Sequence, residues 1–465
     1  MYPSETEFVP ALTLAAAKAK EFLATLEKRR PAAPFDAPEP WSIPEEGHGA
    51  PTAIGLLWDR FGQAFSGSSG PRYWGYVHGG LTPAALAADW ICSAVDQTGQ
   101  MHGDSPGVAI EQETIGMLRE LFGLPPSHQG IFLSGGSMAN FTGLAAAVQR
   151  LGRRFGVNVS QDGAAALGEL HVLTGVCHAC VPRAIGLLGF GRAAVEYLPL
   201  EPGRERVDVA ALAARLDELE GKPVIIVGNA GTVTTGDIDD LDALGRLAEQ
   251  HDSHLHVDGA FGLFAAASPK RRDLIRGIER ADTIAGDAHK WLNVPYDSGF
   301  LFSRHLDHQL EMFKNVSLYL PEPTADPRNV PNLGPENSRR VRAIPAWATL
   351  QAYGRAGHGE IVDRCCDLAE ELGARLQQER GFRLLAPVRL NVVCFELIGS
   401  GGPLGEAATK AFADRLIADG RVRVSNSIYE GQACIRLSII NWRTEPHDLD
   451  IAMDAFRACH AETVA

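Results

Sequence analysis

The chain has 465 residues, 45% of them hydrophobic and 22% charged, the balance of a folded globular protein with room for a large core and more than one structural unit. With 43 Lys and Arg against 57 Asp and Glu, the formal net charge is −14, which argues against non-specific attraction to nucleic acid or an anionic membrane, so a bound phosphate must be held locally. No run approaches the ~18 apolar residues of a spanning helix, the opening MYPSETEFVP lacks a basic segment followed by an apolar one, and eight cysteines do not form a disulfide framework; a reducing cytoplasm is the expected setting.

An amphipathic helix is predicted near residues 12–28, followed by the proline-rich PAAPFDAPEPWSIP, an extended linker. From about residue 130 to 303, short apolar runs (GIFL, HVLTG, AVEYL, PVIIVG, HLHVD, DTIAG, GFLFS) alternate with helix-length segments. That rhythm predicts an α/β unit with a mainly parallel sheet. Residues 321–337 hold several prolines and Gly334, a composition that suits a mobile loop. A helix is expected over 343–380, then strands in RLNVVCFELI, VRVSN and ACIRLSII, with helices after Gly402 and Pro446. The expected division is an N-terminal helical arm (1–95), a large α/β domain (96–340) with a mobile loop near 320–338, and a small C-terminal α+β domain (341–465).

The stretch richest in chemistry runs from HVDGA, where Asp258 ends a predicted strand, to GDAHKW, where Lys290 follows another strand 32 residues later. That interval fits one βαβ unit, whose strand ends lie side by side at one sheet edge, so an acid and an amine can face one site. Upstream, GIFLSGGSMAN reads as strand, glycine-rich turn and helix start. Free N–H groups at Gly136 and Ser137, together with the helix dipole, suit a phosphate. A carboxylate, a lysine and a phosphate cup are what pyridoxal 5'-phosphate requires: an amine for a Schiff base, an anion to keep the ring nitrogen protonated, and an anchor. Singly each is weak, because glycine turns are common and a lysine after a strand is usually a solvated charge. Their order and spacing carry the reading.

HVDGA, DAHKW and the run PRYWGYVHGGLTPAALAADW resemble the group II pyridoxal-phosphate-dependent amino-acid decarboxylases, in particular the aromatic-L-amino-acid decarboxylase branch, over roughly residues 50 to 450. The resemblance implies an α/β, fold type I enzyme with a mainly parallel seven-stranded sheet, a small C-terminal domain and a helical arm that serves a homodimer. It implies Lys290 as the Schiff-base lysine, Asp258 as the partner of the pyridine nitrogen and Ala260 beneath the ring. Gly136, Ser137, Asp287 and His289 match positions that touch the phosphate, Thr232 one near the cofactor, and His178 the histidine stacked on the open ring face. Asp287 stands where the animal enzymes have Asn, and a carboxylate beside a phosphate is repulsive unless protonated or turned away. Tyr319 matches a loop tyrosine that helps protonate the carbanionic intermediate; aldehyde-forming relatives typically carry phenylalanine there.

The implied reaction is decarboxylation of an L-amino acid to its amine and carbon dioxide, with an aromatic substrate as the leading reading. Tyr73, Trp74 and Tyr76 could line a ring pocket or simply pack in the core. His78, Gly79, Gly80, His102, Gly103 and Asp104 make the pocket segments look polar, and a diamino or acidic substrate stays open. Arg339, Arg340 and Arg342 could meet a carboxylate or a partner subunit. The alternatives are another pyridoxal-phosphate carbon–carbon lyase, an aldehyde-forming oxidative relative, or a nicotinamide-dependent oxidoreductase, against which stands the lack of a G-x-G-x-x-G fingerprint. Two further patterns look like metal motifs, Cys177 with Cys180 and His251-x-x-His254-x-His256. Buried packing is the expectation for both, and no metal site is expected.

Overall fold

The computed structural model describes residues 2–32, 35–98, 105–315 and 323–464. Its larger sheet has seven strands: β1 (Gln129–Leu133), β2 (His171–Thr174), β3 (Val195–Tyr197), β4 (Val224–Asn229), β5 (His254–Asp258), β6 (Thr283–Gly286) and β7 (Gly299–Ser303), in the order β1-β7-β6-β5-β4-β2-β3. The strands β6, β5, β4, β2 and β3 run parallel, while β7 is antiparallel to both its neighbours. Every residue of β2, β4, β5, β6 and β7 is buried, which is why these runs read as continuously apolar rather than alternating. The helix Gly136–Arg154 lies against the sheet with Ala139, Leu144, Ala145, Ala146 and Ala147 fully buried; the small side chains let it approach closely.

The register pairs Asn229 with Asp258 and Asp258 with Ala285. The carboxyl ends of three parallel strands therefore lie abreast, the edge at which open α/β sheets present their sites. The crossover from β5 to β6 differs from the expected βαβ unit. Its helical content is three 3-10 turns, Gly262–Ala267, Arg272–Ile275 and Ile278–Arg280; Pro269 and Gly277 interrupt any longer helix.

The smaller sheet has five strands, β8 (Phe382–Leu384), β9 (Val392–Gly399), β10 (Gly402–Pro403), β11 (Ser425–Tyr429) and β12 (Gln432–Ser438), all paired antiparallel. The helices Gly405–Asp419 and Pro446–Val464 accompany it. The strand expected at VRVSN begins only at Ser425, because the backbone just before it pairs elsewhere: Trp74 N–H donates to Arg423 O and Arg423 N–H to Arg72 O. Trp74, fully buried, sits in that joint and is core rather than pocket lining. The arm helix spans Phe8–Ala24, a few residues earlier than expected. The long helix Ala343–Gln377 is broken at Gly354, whose φ of 59° glycine adopts without steric cost.

Within the proline-rich segment the described part is not loose: Val330 and Leu333 are buried in a cluster with Ile131, Leu133 and Leu301, around a 3-10 turn at Val330–Asn332. The three arginines that follow are structural. Arg339 donates to both carboxylate oxygens of Glu111 at 2.7 and 2.8 Å in a buried pair, Arg340 pairs with Asp89, and Arg342 bridges Asp297 and Glu336.

Candidate active site

Past β6 the chain turns through Asp287, Ala288, His289 and Lys290, and Lys290 N–H donates back to Asp287 O at 3.3 Å. Asp258 ends β5, its Oδ1 accepting from the N–H of Ala260 at 3.1 Å, and its other oxygen accepts no bond from the described residues. Both side chains open onto a cavity of about 480 Å³ that is also lined by Gly136, Ser137, His178, Thr232, Ala260 and Asp287. The segment Tyr73–Gly80 closes over the lysine turn. A Cβ on Gly79 would stand 2.0 Å from Lys290 O, so only glycine permits this approach. The N–H of Gly80 donates to Asn293 Oδ1 at 2.7 Å, which ties the two segments together.

Asp287 answers the question its carboxylate raised. It is turned toward the helix start, where the N–H of Gly136 donates to Oδ1, and Lys290 Nζ lies 3.0 Å from Oδ2. It thus takes part of the anion-binding capacity of the Gly136–Arg154 N-terminus for itself. His289 stands behind Asp287, lining the adjoining hollow rather than the main cavity. Its Nδ1 accepts from the N–H of Ser298 at 3.2 Å, leaving Nε2 to face Asp287 Oδ1 at 3.4 Å. Burial holds its pKa below the ordinary histidine value, against the pull of Asp287.

His178 lines the cavity beside the start of the helix Cys180–Leu187, and its Nδ1 accepts from Cys180 N–H at 3.2 Å. Burial is the largest influence on its pKa, which is lowered even with Asp258 nearby, so the ring is neutral near pH 7. The same burial raises the thiol pKa of Cys177 and of Cys180, which keeps both protonated and makes them poor metal or redox groups. Thr232 is held in its turn by donating to Glu205 Oε2 at 2.6 Å. Tyr319, His102, Gly103 and Asp104 lie outside the described residues.

Three lining residues carried little or no local sequence signal. Glu205 reaches the cavity from a loop, its Oε2 accepting from Thr232 Oγ1, Thr235 Oγ1 and Thr235 N–H. Tyr296 stacks on His289 at 4.1 Å and on His78 at 5.0 Å. Arg436, from β12, donates through Nε to Val233 O at 2.7 Å and through Nη1 to Tyr76 O, while its buried Nη2 has no partner. A lone cation within the apolar run CIRLSII was the one readable hint.

The donor set suits pyridoxal phosphate. A carboxylate with a free oxygen, an amine, and a glycine-started helix converge on one cavity of sufficient size, which the small residue Ala260 also lines. Known proteins agree. The pyridoxal-dependent decarboxylase conserved domain matches residues 63–398. The chain is 30% identical over 421 residues to an aromatic-L-amino-acid decarboxylase of Bacillus atrophaeus, covering 88% of this chain and 85% of that one. It is 28% identical to an L-2,4-diaminobutyrate decarboxylase of Rhizobium meliloti, covering 83% and 77%. Among solved structures it resembles Oryza sativa TDC with PLP and tryptamine (TM-score 0.88, 21% identity, 100% of each chain) and Rhodiola rosea 4-hydroxyphenylacetaldehyde synthase (0.87, 21%, 99% of each); at that identity the likeness establishes the fold. With the conserved domain spanning most of the chain and its acid, amine and helix start meeting in one cavity, the protein belongs to the pyridoxal-dependent decarboxylase family and is a pyridoxal-phosphate-dependent amino-acid decarboxylase.

Proposed function

We propose that this decarboxylase acts on an aromatic L-amino acid, with Lys290, Asp258, His178 and Tyr319 as its catalytic residues. The observation that carries the substrate reading is a neutral aromatic wall beside the lysine turn. Tyr73, His78, Tyr296 and His289 follow one another at centroid distances of 5.0, 5.0 and 4.1 Å. Burial lowers the His78 pKa to about 4 and raises that of Tyr296, so His78 Nδ1 accepts from the Tyr296 hydroxyl, 3.1 Å away. Of these, Tyr296 lines the cavity, where its ring can stack on an aromatic side chain. The 30% identical relative carries an aromatic decarboxylase name.

Pyridoxal phosphate, when bound, supplies the electron sink for the bond between Cα and the carboxylate. In this reading Asp258 holds a proton on the ring nitrogen and Ala260 packs beneath the ring. Lys290 supplies the amine that fixes the group and yields to the substrate amine. Gly136 and Ser137 donate to the phosphate, with His289 and Asp287 beside it, and Thr232 borders the cofactor. His178, neutral, covers the open face near the substrate carboxylate, and Tyr319 delivers the proton to Cα. His178 and Tyr319 together favour the amine over the aldehyde that the similarly folded Rhodiola rosea enzyme is named for.

A second reading rests on Glu205 and Arg436. The carboxylate of Glu205 has an oxygen that accepts nothing from the described residues, and Arg436 has an unpaired Nη2. Glu205 suits a substrate whose side chain ends in a donor, as a diamino acid does, while Arg436 suits one that ends in a carboxylate or sulfinate. Mass spectrometry of products from the loaded enzyme, given L-tryptophan, L-tyrosine, L-2,4-diaminobutyrate, L-glutamate and L-cysteine sulfinate beside a Lys290→Ala control, separates these. Amines from the aromatic acids alone support the proposal; the amine of the diamino acid alone establishes the second reading, and an aldehyde contradicts decarboxylation as the net reaction.

Asp287 supports a binding prediction. Its charge opposes a phosphate at the Gly136 helix start, so Asp287→Asn, which keeps an acceptor for Gly136 N–H, is expected to tighten pyridoxal phosphate about tenfold, or about 1.4 kcal/mol. A spectrophotometric titration checks this, and weaker or unchanged binding would count against the assigned phosphate seat. We further propose a homodimer in a reducing cytoplasm. Exposed Phe8, Val9 and Leu12 on the arm and Trp90, Ile91 and Val95 on the helix Pro83–Val95 support a partner-covered face, and all eight cysteines are free thiols. Sedimentation at the mass of one chain would overturn the dimer.

A further inference from the structure

Of the histidines of the HxxHxH pattern, His251 caps the preceding helix, His254 opens β5 about 13 Å from Asp258 at ~3.3 Å per residue, and His256 lies midway between them; the decarboxylase chemistry does not use them. Their hydrogen bonds fix every proton. His256 Nε2 lies 2.8 Å from Asn140 Oδ1 and its Nδ1 2.8 Å from Thr283 Oγ1. The His256 ring is fully buried with no carboxylate among its hydrogen-bond partners, so it is neutral. With the Asn140 oxygen as acceptor, Nε2 carries the proton and Nδ1 accepts the Thr283 hydroxyl hydrogen. Thr283 Oγ1 has then spent its only hydrogen, so at His254, 3.0 Å away, Nε2 must be the donor. His254 is fully buried as well.

What remains is a bare lone pair on His254 Nδ1. That atom is buried without a hydrogen-bond partner and faces Asp282 Oδ2 at 4.0 Å. Two acceptors thus point at each other. Asp282 Oδ2 accepts from Leu255 N–H at 2.8 Å, and its Oδ1 lies 2.6 Å from His305 Nε2. One ligand atom from each of His254, Asp282 and His305 lies within 4.8 Å of the others. On a tetrahedral ion with bonds of ~2.0–2.2 Å, ligand atoms are ~3.4 Å apart, and the observed 2.6 and 4.0 Å bracket that value.

We propose that His254, Asp282 and His305 bind a divalent transition-metal cation of the zinc class. Two imidazoles and a carboxylate are borderline-to-hard donors that suit zinc, and half-exposed His305 leaves a fourth position for water. To ligate, His305 moves its proton from Nε2 to Nδ1 or to solvent. His256, Thr283 and Asn140 act behind the ligands, orienting the His254 ring as outer partners do in metal sites. The guanidinium of Arg150 is directed at Asp252 and at Ser253 O, and that of Arg304 donates to Arg280 O. The ion would clamp the starts of β5 and β6 to the turn after β7, a structural role remote from the decarboxylation site.

The test is equilibrium dialysis of the full chain, loaded with pyridoxal phosphate and stripped of metal by chelator, against Zn²⁺, with bound metal counted by mass spectrometry. About one zinc per chain is expected in the wild type, lost in His305→Ala and in His254→Gln and retained in His308→Ala. Zinc should raise the thermal midpoint of the wild type and not that of His305→Ala, while the decarboxylase activity of His305→Ala persists. Equal zinc content in wild type and His305→Ala, zero included, would overturn the proposal and leave a bridging water as the occupant.

Discussion

The pairing of β5 between β4 and β6 sets the register in which Asn229, Asp258 and Ala285 stand abreast, and the cavity depends on it. One residue of slip would point the Asp258 side chain to the opposite face of the sheet. With the register held, the chain leaving β6 needs only four residues to bring Lys290 to the same edge as Asp258. The helix Gly136–Arg154 presents its N-terminus to that edge too, with the N–H of Gly136 given to Asp287. An acid, an amine and an anion seat converge because parallel strands end together, and the small-residue face of the helix lets it lie close enough to contribute.

How much of this could be read from the residues follows from the range of the interactions. Asp258, Lys290, Gly136 and His178 each sit just past a strand or at a helix start, and strand ends are marked locally by the switch from apolar run to turn, so the sequence reading brought them to one site. Glu205 and Arg436 arrive from segments about 230 residues apart in the chain, and nothing local marks a loop glutamate as pocket lining. The proline-rich segment misled for the complementary reason: composition signals a loop, but the burial of Val330 and Leu333 depends on a face of β1 and β7 that local pattern does not reveal. The VRV run has strand propensity and loses its place in the small sheet to pairing with residues 72–74, a tertiary override of local preference.

The site's electrostatics separate what the family shares from what is this chain's own. Burial keeps His178, His289 and His78 neutral, so the charged groups near the amine are few and ordered: Asp258, Asp287 and, across the cavity, Glu205 and Arg436. Asp287 binds the helix start and the lysine together, linking two of the three elements that the proposed chemistry brings into play. The aromatic wall and the charged wall argue for different substrate side chains, and the proposed chemistry does not decide between them, because in it bond breaking would depend on the shared group and on Asp258.

In the proposed chemistry the amine just past β6 and the carboxylate at the end of β5 act on one bound group. Borohydride reduction of the protein loaded with pyridoxal phosphate, followed by proteolysis and mass spectrometry of every lysine peptide, tests this. One equivalent of reduced pyridoxyl phosphate per chain is expected on Lys290, and less of it when Asp258→Ala is loaded in the same way. Label on another lysine, or none on any, would contradict it.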